Sequence, residues 1–322
     1  RHGIWGLIGV LMEIILKFLR LLYRLPLMLL HLLIGTPVTV ACQYSWGRSK
    51  MIAGVSLAEI TSRWWSSVIC IIFGVRRRKT GEFAPGAQLV AANHISFLDI
   101  SVLHSFATMG FVAKAEIDGW PLLGGLARAG QTVFHKRGSH DSASGVSAAM
   151  VERQNEDRRV AIFTEGGILP GTGVKRFHAR MFAAAIDAGK PVQPVMIRYL
   201  RDGSRYDDIT FLPGEHFAAN VLRLLMQKTC TAEVQVLPLM MPDGMQRRQL
   251  AGEAESRVRG AFESEIADGY GVDRFSPATG LAQWPRAVPD QQQRHSQTLC
   301  PATLGNVARG RRSLDAGWWR RD

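Results

Sequence analysis

The stretch of sequence that decides the fold is Leu89-Val90-Ala91-Ala92-Asn93-His94-Ile95-Ser96-Phe97-Leu98-Asp99. Its four apolar residues predict a short buried strand, and the polar residues after them indicate that the strand ends at Asn93. The strand therefore delivers His94 at its carboxyl end, with Asp99 following five residues later. A neutral imidazole beside an anion is the usual equipment for taking a proton from a hydroxyl group. If a helix begins just after Ser96, Asp99 lies in its first turn and can fold back toward His94.

From residue 83 onward, short apolar strands alternate with helical segments. This alternation predicts an α/β domain with a mostly parallel sheet flanked by helices. Functional sites in such sheets lie beyond the carboxyl ends of the strands, where Asn93 and Thr164 are both expected. The predicted strands are Gln88–Ala92, Gly110–Ala113, Gln131–His135, Arg159–Phe163, Pro191–Ile197, Asp208–Phe211 and Glu233–Val236. The predicted helices are Phe97–Ala107, Pro121–Ala129, Asp141–Asn155, Ala179–Ala188 and Gly244–Ile266.

A His-x4-Asp pair is weak on its own, because short motifs also arise by chance. Three further blocks follow it in order. They are Lys114, Pro121, Gly124 and Gly130 leading to Phe134-His135-Lys136-Arg137, then Phe163-Thr164-Glu165-Gly166-Gly167, then Pro191-Val192-Gln193-Pro194-Val195. Together the four blocks resemble the glycerolipid acyltransferase family typified by 1-acyl-glycerol-3-phosphate acyltransferase. The resemblance covers roughly residues 60–240 and implies a glycerol-3-phosphate acyltransferase-like fold.

The resemblance implies a role for each matching residue. His94 would be the general base and Asp99 the group that fixes its tautomer. Ser96 is interpreted as a helix cap that could also touch substrate. A guanidinium such as that of Arg137 suits bidentate recognition of a phosphate group. The residues expected to contact substrate are Asn93, Ser96, Lys114, Arg137, Glu165, Gly166, Gly167, Lys175 and Arg176.

One position departs from the family pattern. After Glu165-Gly166 the family often has Thr-Arg or Thr-Ser, whereas Gly167-Ile168 stands here. The arginine that commonly assists phosphate binding is therefore absent there, and Lys175, Arg176 or Arg180 is expected to replace it. The departure leaves the acceptor open, because bacterial relatives that acylate lyso-ornithine lipid also depart at this place.

The resemblance implies transfer of a fatty acyl group from acyl-CoA or acyl-carrier protein to the 2-hydroxyl of 1-acyl-glycerol-3-phosphate, giving phosphatidic acid. Lyso-ornithine lipid or another lysolipid is the alternative acceptor. No G-x-S-x-G motif is present for a covalent nucleophile, and direct transfer needs none. No metal and no cofactor is expected, since the acyl donor is a co-substrate.

Residues 1–45 are predicted to be a membrane-associated helical hairpin. The apolar surface is interrupted by one stripe, Glu13, Lys17, Arg20 and Arg24, which we expect to face lipid headgroups. A second apolar run from Leu25 to Cys42 contains Pro26, Gly35 and Pro37. A hairpin in one leaflet is favoured over a true span, because a charged stripe is costly at mid-bilayer. A buried pair of soluble helices is the remaining alternative.

The 322-residue chain carries 39 Lys+Arg against 27 Asp+Glu, a net charge of +12. This excess indicates an anionic partner, and Arg76-Arg77-Arg78-Lys79 is interpreted as an interfacial anchor or as a plain solvated run. The four cysteines show no metal-ligand spacing and indicate free thiols in a reducing compartment. We expect an acyltransferase domain over residues 46–268 and a disordered basic tail over residues 269–322.

The expected location is the bacterial inner membrane, with the active site facing the cytoplasm. A protein of another class, a non-catalytic membrane-tethered protein that binds nucleic acid or anionic lipid, would explain the charge and the tail. It would not explain the four ordered blocks, so no nucleic acid is expected as a partner.

Overall fold

The computed structural model describes residues 2–120, 123–130, 132–135, 140–168 and 173–264. Within them an eight-stranded sheet is covered by helices, as the alternating sequence pattern predicts. Seven strands follow the order β3 (Val75–Thr80), β10 (Cys230–Val236), β8 (Val192–Arg201), β4 (Leu89–Ala92), β7 (Val160–Phe163), β5 (Gly110–Lys114) and β6 (Val133–His135), and β9 (Ser204–Arg205) pairs with β8. Every neighbouring pair from β8 to β6 is parallel, whereas β10 runs antiparallel to β8 and parallel to β3.

The strands are β1 Met51–Ile52, β2 Val55–Ser56, β3 Val75–Thr80, β4 Leu89–Ala92, β5 Gly110–Lys114, β6 Val133–His135, β7 Val160–Phe163, β8 Val192–Arg201, β9 Ser204–Arg205 and β10 Cys230–Val236. The α-helices are α1 His2–Leu30, α2 Thr36–Cys42, α3 Ser45–Ser49, α4 Leu57–Ile72, α5 Leu98–Phe106, α6 Leu123–Ala129, α7 His140–Asn155, α8 Ala183–Ala188, α9 Phe217–Met226 and α10 Arg247–Glu263. A π-helical turn, His31–Gly35, joins α1 to α2, and 3₁₀ turns span Ala115–Gly119, Ala179–Phe182 and Asp207–Ile209.

Strand β4 is buried on both faces, which explains its uninterrupted apolar sequence. Val90 and Ala92 lie in one core with residues of α4, α5 and α9. Leu89 and Ala91 lie in a second core with residues of α7, α8 and α10. The alternation along the strand thus divides the hydrophobic interior into two layers.

The parallel pairing of β4 with β7 brings two of the sequence blocks together. Leu89 lies opposite Val160 and Ala92 lies opposite Phe163, so both strands end at the same level. His94 and Glu165, which follow these ends, therefore emerge at one edge of the sheet, as predicted.

The sheet differs from the sequence prediction in several strands: β9 was not predicted, and β10 begins at Cys230, three residues before the predicted Glu233. Strand β8 continues to Arg201, four residues beyond the predicted end at Ile197. The basic run after α4 is the edge strand β3, paired in parallel with β10, where an interfacial anchor or a solvated run was expected. The predicted strand over residues 208–211 is wrong, because Asp207–Ile209 forms a 3₁₀ turn.

The predicted hairpin within residues 1–45 is also wrong in its position. The chain is helical from His2 to Cys42, and helix α1 passes through Pro26 without a turn. The chain passes from α1 to α2 through the π-helical turn His31–Gly35 without leaving the helical conformation. Pro37 lies in the first turn of α2, where the N–H that proline lacks costs little stability. The helical stretch Trp5–Cys42 contains an 18-residue window with a mean hydropathy of 1.9, so by length and composition it could cross a membrane.

The chain reverses later, between α2 and α4. The Gln43 amide donates to the Ala58 carbonyl at 2.9 Å, and the Trp65 indole N–H donates to Thr36 Oγ1 at 3.1 Å. These contacts run in opposite directions along the two segments, so α4 packs antiparallel to the N-terminal helix. A pairing of the N-terminal helix with α4, with the turn at residues 43–56, therefore stands in place of the hairpin predicted within residues 1–45.

The charged stripe of α1 faces protein, which corrects its predicted contact with headgroups. The Arg24 guanidinium, only 4% exposed, donates to the carbonyls of Leu225 and Gln227 at 3.1 and 2.8 Å. These carbonyls lie at the end of α9, where a helix dipole favours a cation. Arg20 donates to the Met226 carbonyl at 3.4 Å, and Glu13 accepts from Lys228 at 3.1 Å. The stripe therefore attaches α1 to the end of α9.

The predicted basic tail over residues 269–322 lies outside the described residues. The remaining surface of the N-terminal helix is apolar and exposed, with Trp5 75%, Leu22 72% and Leu33 68% exposed. A single exposed leucine needs no explanation, but a surface of this extent is typical of contact with another apolar phase.

Candidate active site

The His94 imidazole and the Asp99 carboxylate are in direct contact, as the sequence predicts. Nδ1 of His94 lies 2.9 Å from Oδ2 of Asp99. The His94 side chain is 12% exposed, whereas that of Asp99 is fully buried. Because Nδ1 donates to the carboxylate, Nε2 is the ring nitrogen left to accept a proton from a substrate.

Asp99 occupies the first turn of α5 and binds the loop that precedes it. Its Oδ2 accepts hydrogen bonds from the backbone N–H groups of Ile95 at 2.7 Å and Ser96 at 3.0 Å. The same oxygen therefore closes the loop and orients His94. The other oxygen, Oδ1, accepts from the Tyr199 hydroxyl at 2.8 Å.

The plane of the His94 ring is fixed by an aromatic neighbour. It stacks on Phe163, the last residue of β7, with ring centroids 3.8 Å apart and an angle of 9° between the planes. Phe163 in turn stacks on Phe111 of β5. Two parallel strands thus support the imidazole from one side.

Asn93 is buried and bonds to the backbone of β8. Its side-chain nitrogen donates to the Ile197 carbonyl, and its side-chain oxygen accepts from the Ile197 N–H, both at 2.8 Å. The amide thereby imitates one more residue of the β4–β8 ladder. These two bonds give Asn93 a structural role, and its contact with substrate stays a prediction.

Glu165 links two loops of the site. One oxygen accepts from the His94 N–H at 2.9 Å and the other accepts from the Lys175 N–H at 2.6 Å. Burial raises the pKa of Glu165, although the two N–H groups oppose that shift. Its carboxylate holds the histidine loop against the segment that carries Lys175 and Arg176.

The structure describes some of the remaining predicted residues near the site and leaves others outside the described ranges. Gly166 and Gly167 have φ values of 76° and 152°, a backbone region that favours glycine. Ser96 is buried, and its Oγ accepts from the Leu98 N–H at 3.4 Å, which supports its interpretation as a local cap. Lys175 is half-buried and Arg176 is exposed beyond the Glu165 link. Arg137 lies outside the described residues, and Lys114 is described only as the last residue of β5.

Tyr199 is the residue of this site that sequence analysis missed. It belongs to the part of β8 beyond the predicted strand end. The signal that could have found it is a tyrosine in an apolar segment, because the hydroxyl of a buried tyrosine usually has a hydrogen-bond partner.

Comparison with known proteins finds relatives of this chain. Residues 75–198 match the family model described as Acyltransferase. A lyso-ornithine lipid O-acyltransferase from Pseudomonas aeruginosa is 34% identical over 203 residues, which cover 63% of this chain and 78% of the relative. A 1-acyl-sn-glycerol-3-phosphate acyltransferase from Neisseria gonorrhoeae is 38% identical over 115 residues, which cover 36% of this chain and 45% of that protein.

The fold also has a solved counterpart. The crystal structure of a 1-acyl-sn-glycerophosphate acyltransferase from Thermotoga maritima superimposes with a TM-score of 0.61 at 18% identity, covering 78% of this chain and 96% of that one. At this identity the likeness concerns the fold. The sequence relationship to the P. aeruginosa enzyme is closer and extends over most of its length, and with the family match it shows that this chain belongs to the glycerolipid acyltransferase family.

Proposed function

We propose that this protein transfers a fatty acyl group from a thioester donor to the free hydroxyl of a lysolipid, with His94 as the general base. The observation that carries the proposal is the 2.9 Å contact between His94 Nδ1 and Asp99 at the carboxyl end of β4. Nε2 takes the proton of the acceptor hydroxyl, and the oxygen attacks the thioester carbonyl carbon. When the carbon–sulfur bond breaks, the thiolate leaves and receives the proton from the imidazolium.

The residues around His94 have separate tasks in this proposal. Asp99 and Phe163 hold the ring, and the Asp99 charge stabilises the imidazolium. The backbone turn at Gly166-Gly167 lies next to Glu165 at the same edge of the sheet, where its glycines let the backbone approach the substrate closely. The acyl donor is proposed to be acyl-CoA or acyl-carrier protein, and no metal or cofactor is assigned a step.

For the acceptor, lyso-ornithine lipid is favoured by two observations. The lyso-ornithine lipid acyltransferase of P. aeruginosa aligns over 78% of its length, compared with 45% for the N. gonorrhoeae enzyme that acts on 1-acyl-glycerol-3-phosphate. In addition, Ile168 occupies the position where phosphate-binding relatives often have arginine. An ornithine headgroup carries no phosphate and does not require that arginine.

The alternative acceptor, 1-acyl-glycerol-3-phosphate, is supported by Arg137 and by the exposed Arg176. A guanidinium at either place would bind the phosphate group. The product would then be phosphatidic acid.

Membrane association is part of the proposal. The exposed apolar surface of Trp5–Cys42 would admit a lysolipid whose tail stays in the bilayer. The inner membrane, with the site on its cytoplasmic side, is the location that fits a thioester donor made in the cytoplasm.

The proposal is tested by incubating purified protein in mixed micelles with acyl-CoA and each lysolipid, and by measuring thiol release together with product mass. We expect one acyl group added to the acceptor for each thiol released. His94→Ala should lower the rate about 10²–10⁴-fold without loss of folding. Near-normal turnover by that variant would end the proposal. His216→Asn, which keeps a capping side chain at α9, is the matched control and should retain full activity.

The acceptor is identified by the same assay with Arg176→Gln. If 1-acyl-glycerol-3-phosphate is the substrate, its KM should rise in this variant because a phosphate contact is lost. If lyso-ornithine lipid is the substrate, wild type should have the higher kcat/KM for it, and Arg176→Gln should change that value little.

A further inference from the structure

We propose that Tyr199 is a positioning residue for acyl transfer, which acts on His94 through Asp99. Its hydroxyl holds Oδ1 of the carboxylate, so that Oδ2 stays directed at the imidazole. This inference rests on the proposed role of His94 as the base.

Asp99 needs such a partner because its charge is removed from water. The carboxylate is fully buried, and no lysine or arginine forms an ion pair with it among the described residues. Its charge is balanced by dipoles: two backbone N–H groups and the imidazole N–H on Oδ2, and one phenol on Oδ1. A buried carboxylate oxygen without a donor is costly, so Tyr199 supplies the one contact that the loop itself cannot make.

Tyr199 is a permanent donor in this environment. Burial, and next the charge of Asp99, raise its pKa well above the usual value near 10, so it remains a neutral phenol. The buried thiols near it are neutral too, since burial raises the pKa of Cys70 to about 12 and that of Cys230 to about 11. Glu165 from the end of β7 and Tyr199 from β8 contact the His94–Asp99 loop, Cys70 from α4 and Cys230 from β10 lie near Tyr199, and His178 lies near Gly166.

The position of Tyr199 follows from the length of β8. Val195 lies opposite Ala92, the last residue of β4, so β8 extends past β4 at the edge where the site lies. Asn93 binds Ile197 on this extension, and Tyr199 lies two residues further along, where its hydroxyl reaches Asp99. The histidine loop is thus attached to β8 at both Asn93 and Asp99.

The test is the variant Tyr199→Phe, which keeps the buried ring and removes only the hydroxyl. With one donor lost, more negative charge remains for the imidazole, which favours its protonated form. A protonated base cannot accept the substrate proton, so the acid limb of the pH profile of kcat/KM should move upward by about one pH unit. The rate at the optimum should fall about tenfold.

A second measurement is independent of the substrate. Diethyl pyrocarbonate modifies neutral imidazoles, and mass spectrometry of the His94 peptide gives the pH midpoint of labelling. In Tyr199→Phe this midpoint should rise in parallel with the acid limb. Tyr206→Phe is the matched control, because Tyr206 is buried in the same apolar cluster and its hydroxyl makes no hydrogen bond to His94 or Asp99.

The outcomes separate the two proposals. An unchanged labelling midpoint in Tyr199→Phe, or the same shift in Tyr206→Phe, would overturn the role of Tyr199. If wild type acylates no lysolipid while the midpoint still shifts, the proposed function fails and the coupling of Tyr199 to His94 stands.

Discussion

Asp99 and Arg24 are two charged side chains that the protein removes from water, and their partners differ in kind. Asp99 is fully buried and Arg24 is 4% exposed. Each is stabilised mainly by dipoles: Asp99 by N–H and O–H groups, Arg24 by carbonyls at the end of α9. Asp99 holds a proposed base in place, whereas Arg24 attaches the long N-terminal helix to the α/β domain.

The two sites also differ in where their partners lie along the chain. Three of the four groups on Asp99 come from residues 94–96, within five positions of it. The carbonyl partners of Arg24 are 201 and 203 residues away. A buried charge with local partners can be inferred from a short motif, whereas one with remote partners resembles an ordinary exposed charge until the fold is known.

The largest effect is expected at the local site, with Asp99→Asn. The amide would meet the N–H donors of Ile95 and Ser96 and would no longer hold His94 in the correct tautomer. We expect acyl transfer to fall about 10³–10⁴-fold, measured as the initial rate of thiol release. Asp243→Asn, at an exposed position, is the control. A residual rate above about a tenth of wild type would show that the carboxylate has no such role.

The next effect is expected at the remote site, with Arg24→Met. The carbonyls of Leu225 and Gln227 would lose charged donors, so the free energy of unfolding should drop by about 2–3 kcal/mol. Thermal unfolding in detergent measures this as a lower Tm. Lys17→Met is the matched control, since Lys17 lies on the same stripe outside these contacts. Equal Tm values for the two variants would remove the distinction between Arg24 and an exposed charge.

A smaller, pH-dependent effect is expected for Glu165→Gln. Because burial raises the pKa of Glu165, the folded state holds its proton more tightly than the unfolded state. Its contribution to stability is therefore greatest below the unfolded pKa and is lost as the pH rises through the folded pKa.

The measurement is the Tm of wild type and variant between pH 4 and pH 8, in steps of about one pH unit that begin near the usual carboxyl pKa. The wild-type curve should fall relative to that of Glu165→Gln as pH rises. Parallel curves would mean that Glu165 ionises as readily in the fold as in the unfolded chain.

The smallest effect is expected for Lys228→Gln, which removes the 3.1 Å ion pair with Glu13. Both groups reach solvent, so the pair should contribute little and salt should screen it. We expect a slight decrease in Tm at low salt that disappears at high salt. A large decrease that persists in salt would place this pair in the same class as Arg24.

Much of the fold could be predicted because its signals are periodic and local. The strands around β4, β5 and β7 and the helices α5, α7 and α10 follow the predicted segments within a few residues. The errors fall where partners decide the outcome. The run Arg76-Arg77-Arg78-Lys79 has no strand-like pattern, but pairing with β10 makes it β3. The helical hairpin was predicted within residues 1–45, whereas the N-terminal helix runs on to Cys42 and packs against α4, with the turn between them at residues 43–56.

In the candidate site, too, local contacts could be predicted from the sequence and remote partners could not. His94 and Asp99 were expected to meet, and they do. Contact of Asn93 and Glu165 with substrate stays a prediction, and the structure adds that their polar atoms bond to the backbone of Ile197, His94 and Lys175. Their residue types showed that they matter, and only the folded chain showed what they bind.

By itself the sequence determined the α/β order of elements, the strand end that presents His94, and the contact with Asp99, because these depend on neighbours within a few residues. The tertiary structure decided that the Tyr199 hydroxyl donates to Asp99, that Glu165 joins two loops, and that Arg24 faces α9. The physical reason is that a buried polar group needs a hydrogen-bond partner close in space. Strand pairing and helix packing decide which residues lie close in space, and spacing along the chain does not.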